Sequence, residues 1–156
     1  MKLMKLERIA LLTLTVLAGA HLVQRDRHHR QSLDLATADR QERWLRGIIG
    51  TPELAEAWKP EDLSAEEFVT LMSANLALGT HSLRYRLGID STEQMRFYAA
   101  LLMSTKCVRQ YWERFGATRE SEAVHGERQL GTVNDALAVA YKFARREQEN
   151  ASATVS

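Results

Sequence analysis

A chain of 156 residues with 45% hydrophobic and 26% charged side chains has room for one small domain and is composed like a globular one. Its formal net charge of +1 excludes the strong basic field that steers proteins onto nucleic acid, and its single cysteine, Cys107, excludes an intrachain disulfide framework. Only Pro52 and Pro60 interrupt long tracts rich in Leu, Ala, Glu and Arg, a composition that favours helix and predicts an all-α fold.

The chain opens with Lys2, Lys5 and Arg8 and then runs for 15 residues, Ile9 to Val23, without Asp, Glu, Lys or Arg. At about 1.5 Å per residue such a helix spans roughly 22 Å, less than the roughly 30 Å apolar core of a bilayer. Residues 1–24 read as a short single-pass membrane anchor that meets lipid through residues 9–24. Arg8 and Arg25 would snorkel, and Arg27, His28, His29 and Arg30 would sit at the headgroups. Two alternatives compete. Ala18-Gly19-Ala20 fits an export signal cut near Ala20, and runs of this length also occur as buried helices of soluble proteins. The continuation favours retention, because neither Pro nor Gly interrupts the chain from Val23 to Gly47, so helix extends through residues 25–41. Three basic side chains lie on each side of the apolar run, which leaves the positive-inside rule without a preference. The unpaired thiol favours a cytoplasmic C-terminal domain.

A bundle domain is expected over residues 42–147. The first helix ends at Gly50 and commits Trp44, Leu45, Ile48 and Ile49 to a core. TPELAEAWKPEDL, bracketed by the two prolines, reads as a connector with one short helical turn. Ser64 with Glu67 forms a capping box, so the next helix starts there, carries Phe68, Leu71, Met72, Leu76, Leu83 and Leu87 at three- and four-residue spacing, and ends at Gly88. Asp90 or Ser91, with Gln94, caps a further helix expected to run to Phe115 and end at Gly116. Its segment FYAALLM is apolar on every side, which predicts a place in the middle of the bundle. The last helix is expected over Glu127 to Arg146, with Leu130, Val133, Leu137, Tyr141 and Ala144 on one face, followed by a disordered tail over residues 148–156. The expected architecture is an N-terminal hydrophobic helix running into a small antiparallel helical bundle.

Charge is uneven along this domain. Residues 51–70 carry a net −5 and residues 84–115 a net +3. Mutual pairing of solvated faces accounts for this most simply; an acidic ridge that docks a partner is the sharper reading.

Chemistry is scarce. His28 and His29 are adjacent, about 100° apart on a helix, and cannot chelate one ion; no HExxH or cysteine pair exists. Neither a phosphate-binding glycine loop, a nucleophile elbow nor a paired-carboxylate constellation is present, so no catalytic, cofactor or metal residue is assigned. Candidate binding residues are Asn75 and His81 beside the apolar stripe, which would form a pocket with Cys107 or Thr105, together with Tyr85 and the aromatic cluster of Arg109, Tyr111 and Trp112. Helical spacing puts Trp112 and Phe115 on the stripe of Leu101 and Val108, closing the core, and leaves Arg109 and Tyr111 nearer the surface.

The segments ERWLRGIIGTPELAEAW, NLALGTHSLRYRLG and CVRQYWERFGATR resemble the landmarks of an actinobacterial family of short proteins of unknown function. In that resemblance, which covers roughly Glu42 to Tyr141, the matching positions are Trp58, Asn75, Tyr85, Gly88, Tyr111 and Trp112. It implies an N-terminal hydrophobic helix followed by a helical domain, and it brings no catalytic residue. Arginine outnumbers lysine 16 to 5, which suits a GC-rich genome. The expected function is therefore a non-enzymatic, membrane-anchored module whose cytoplasmic bundle binds another protein. The alternative is a soluble or exported regulator that holds a small ligand between its central helices.

Overall fold

The computed structural model describes the backbone of residues 2–124 and 128–154, and side chains from residue 21 onward within those spans except at 22, 27 and 154. Among the described residues there are six helices and no strand: α1 (Lys2–Gly50), α2 (Pro52–Trp58), α3 (Ala65–Arg86), α4 (Thr92–Met103), α5 (Lys106–Val124) and α6 (Arg128–Thr154). The chain divides into two compact units, residues 1–40 and 41–156.

In the first unit none of the described side chains is buried. Asp26 and Arg30 pair one turn apart, Nε to Oδ2 at 3.1 Å, on an open surface where water and salt screen the attraction. His28, His29, Arg25 and Arg30 are exposed. Most of the expected anchor, residues 9–20 and 22, lies outside the described side chains, as do Arg8, Arg27 and the Ala18-Gly19-Ala20 site. Among the described residues, no helix is long and apolar enough to cross a membrane.

The second unit is an all-α bundle. The last turns of α1 place Leu45 and Ile48 in its core, while Trp44 meets Trp58 of α2 edge-to-face at 5.6 Å. Pro52 opens α2 where a helix needs no N–H, and Ala55 is its buried contact. Both expected capping boxes form. Ser64 Oγ accepts from the Glu67 amide at 3.2 Å while the Glu67 carboxylate accepts from the Ser64 amide at 2.9 Å. Ser91 and Gln94 do the same for α4, at 3.2 and 2.7 Å.

Between the two helices the chain turns through Gly88, the one residue with positive φ (+74°) among those described. The Gly88 amide donates to the Tyr85 carbonyl and the Ile89 amide to the Arg84 carbonyl, both at 2.9 Å, which is a Schellman ending. Asp90 is not the cap of α4. Its buried carboxylate takes two hydrogen bonds from Arg84, at 2.7 and 2.9 Å, and so pins the turn to the helix it leaves.

The helix expected to run unbroken to Phe115 is two helices. α4 ends at Met103, where the Ser104 hydroxyl donates to the Leu101 carbonyl at 2.6 Å, and Arg109 reaches back to donate to the carbonyls of Met103 and Ser104 at 2.8 and 2.7 Å. Those carbonyls would otherwise be orphans of a helix end, and a cation there also opposes the helix dipole. Gly116 does not terminate α5; it sits buried inside it, where a Cβ would come within 3.0 Å of the Trp112 indole. Glycine here makes room for a tryptophan.

A second correction concerns FYAALLM. Met95, Ala99 and Met103 face inward at 1% exposure or less, but Phe97 and Leu101 are 66% and 56% exposed, so α4 lies at the edge of the bundle and not in its middle. Leu101 does not continue the Val108 stripe. On α6, Val133 and Leu137 are fully buried with Leu130, Tyr141 and Ala144 partly so, as their spacing predicts. That helix starts at Arg128 and runs on to Thr154, through residues that read from sequence as a disordered tail.

Candidate functional site

Three places in the second unit carry unusual side chains. The first is a polar seam where α3, α5 and α6 meet. Tyr111 is only 6% exposed, contrary to its expected place near the surface; its hydroxyl donates to Asn75 Oδ1 at 2.9 Å. Arg119 Nη1 approaches the same oxygen at 3.4 Å, and Asn134, 2% exposed on α6, donates to the Arg119 carbonyl at 2.7 Å. Tyr111 also packs against Phe115 with ring centroids 5.0 Å apart. These hydrogen bonds join three helices and offset part of the cost of burying polar groups, although Arg119 Nε and Asn134 Oδ1 are buried without a partner. Arg119 and Asn134 were not among the candidates; a polar side chain at an inward position of α6, beside Val133, is the signal that marks Asn134.

The second is the ring of His81. It faces α4, with its centroid 4.4 Å from that of Tyr98, and its Nδ1 is buried without a hydrogen-bond partner. Burial pushes the imidazole below its ordinary pKa; Asp90 works in the opposite direction and Arg84 in the same one. His81 and Asn75 thus make their contacts in different places, His81 with Tyr98 of α4 and Asn75 with Tyr111 of α5. Of the six candidate binding residues the structure brings together Asn75 and Tyr111. Tyr85 hydroxyl lies 3.3 Å from Thr92 Oγ1, Arg109 closes α4, and Trp112 is buried over Gly116.

The third place is a groove between α4 and α6, of about 580 Å³. Small side chains form its floor, with Ala100 from α4 and Ala136, Ala140 and Ala144 spaced one turn apart on α6. Val139 and Phe143 line it while remaining 54% and 62% exposed. Arg96, Asp135 and Glu147 supply its charges. A volume of that order suits a small ligand or an inserted side chain. Neither Asn75, His81, Cys107 nor Thr105 lines it.

The uneven surface charge is partly paired. Arg114 donates to both oxygens of Asp62 at 2.8 Å, linking the acidic stretch before α3 to the basic stretch of α5, and this bond holds the Asp62 carboxyl below its ordinary pKa. Beside that bridge, Glu66, Glu67 and Glu113 border a smaller cleft of about 390 Å³. Among the described residues no three His, Cys, Asp or Glu side chains gather as metal ligands would.

No curated protein and no solved structure matches this sequence. The model of one family does, over nearly the whole chain. The match spans residues 8–154, and the chain belongs to the family of unknown function designated DUF6082.

Proposed function

We propose that this protein is a membrane-tethered helical interaction module, without catalytic activity of its own, whose bundle faces the cytoplasm and binds another protein. The observation that carries the reading is the α4–α6 groove. It leaves Val139 and Phe143 in water, each more than half exposed, beside four alanines, and on α4 Phe97 and Leu101, next in sequence to the lining residues Arg96 and Ala100, are exposed as well. Exposed apolar side chains gathered on one side of a domain suit a site that a partner covers. The tether rests on the sequence of residues 9–24 and on the basic residues flanking them, from Lys2, Lys5 and Arg8 to Arg25 and Arg30. An arginine-rich, lysine-poor composition is consistent with an actinobacterial source.

Expressed at full length, the protein should sediment with membranes and resist carbonate extraction, and a protease added to inside-out vesicles should digest the bundle. Recovery in the carbonate-soluble fraction contradicts the tether. N-terminal sequencing that begins at His21 would instead establish cleavage and export.

A second reading is a small-ligand regulator, supported by the volume of the same groove. It places the ligand between α4 and α6, not beside Asn75, His81 and Cys107.

A further inference from the structure

We infer that the partner covering the α4–α6 groove is a second copy of this chain, docked by a twofold axis. This rests on the interaction-module reading above and adds to it the identity of the occupant.

In a twofold interface residue i of one copy meets residue j of the other, and j meets i in return, so one patch must carry both members of every contact. The groove meets that requirement in shape. Its recess is floored by Ala100, Ala136 and Ala140, and its projections are Phe143 within it and Phe97, the next residue along α4 from the groove-lining Arg96. In the proposed dimer a phenyl ring of one copy lies against the alanines of the other.

The same holds for charge. Arg96 stands on the α4 side, and Asp135 and Glu147 on the α6 side. None of the three is engaged in an ion pair or hydrogen bond among the described residues. A surface of one sign repels its own copy, whereas a surface that carries both signs on opposite walls pairs with itself when turned through half a circle. A partner of a single sign would satisfy one wall and oppose the other. Confinement of two tethered copies to one membrane face raises their effective concentration and favours this encounter over capture from solution.

The test uses two full-length variants carrying different affinity tags, co-expressed in membranes and captured through one tag. Variant one is Arg96→Glu; variant two is Asp135→Lys with Glu147→Lys. In a twofold dimer either variant alone brings like charges together at both contacts, so self-capture should fall about tenfold or more, as expected for lost charge pairs. Mixed together, the two variants oppose opposite charges at both contacts, and capture should return to the wild-type level. That recovery also shows that both variants are folded. Phe143→Glu should abolish capture in every combination.

Absence of wild-type self-capture overturns the dimer, as does self-capture that the charge changes leave untouched. Capture lost in each variant and not restored by mixing also counts against it. If copies capture each other while the protein leaves the membrane in carbonate, the dimer stands and the tether falls. If no copy captures another while the groove remains covered in native membranes, the interaction module stands with a different partner.

Discussion

Two seams of one bundle are finished in opposite ways. Where α3, α5 and α6 meet, polar side chains are drawn inside and spend their hydrogen bonds on one another: Tyr111 on Asn75, Asn134 on the Arg119 backbone. Where α4 meets α6, apolar side chains are left outside, with Val139 and Phe143 54% and 62% exposed. Burying a polar group stabilises only when its hydrogen bonds are made; most of them close within the chain here, while Arg119 Nε and Asn134 Oδ1 are buried without a partner. Leaving a phenyl ring in water forgoes a favourable transfer that only another surface can supply. The closed seam holds the bundle together, and the open one is where it can meet something else.

That contrast can be broken or sharpened by substitution. The largest effect belongs to the inner face of α6, which both seams share. Leu137→Ala, at a fully buried position, should destabilise the protein by about 2–5 kcal/mol in urea unfolding. Tyr111→Phe removes one hydrogen bond from the closed seam and should cost about 1 kcal/mol, with no effect on association of copies. If association changes instead, the two seams are not independent.

Protonation probes a third contact. The folded pKa of His81 is depressed by burial, so its neutral form contributes stability that is complete above the ordinary imidazole pKa and is lost as pH falls through the folded value. Unfolding measured from pH 7.5 downward should show a decline beginning near about pH 6.5. His81→Phe, which keeps an aromatic ring against Tyr98, should flatten that part of the profile. An unchanged slope would place the titration elsewhere.

The smallest effect on folding is expected at the open seam. Val139→Glu should leave stability within about 0.5 kcal/mol, since its side chain is 54% exposed, while association is lost. Unfolding by this change would mean that the groove belongs to the core.

Much of the fold was legible because its signals are local. Ser64 with Glu67 and Ser91 with Gln94 are helix starts written in four residues, and Gly88 is a helix end written in one. The inward stripe of α6 was legible for the same reason. The break at Ser104 was not, because it depends on Arg109 reaching back across the gap to satisfy carbonyls, a contact that spacing does not announce. Gly116 misled: a glycine after an aromatic run signals a helix end equally well as room for Trp112. Tyr111 was misplaced because its buried hydroxyl requires an acceptor, and that acceptor, Asn75, lies 36 residues away. FYAALLM shows the limit most plainly. A helix apolar all round can be enclosed by its own bundle or left open for a partner, and periodicity cannot separate the two. The groove stayed hidden for that reason, although Ala136, Ala140 and Ala144 mark its floor at one-turn spacing.

The most direct measurement is the reactivity of a thiol placed in the groove. In a Cys107→Ala background, Val139→Cys should react slowly with maleimide in native membranes and rapidly once the protein is diluted in detergent, while Ser73→Cys, exposed on α3, should react rapidly in both. Equal, rapid labelling of Val139→Cys under both conditions would show that nothing covers the groove and would contradict the account.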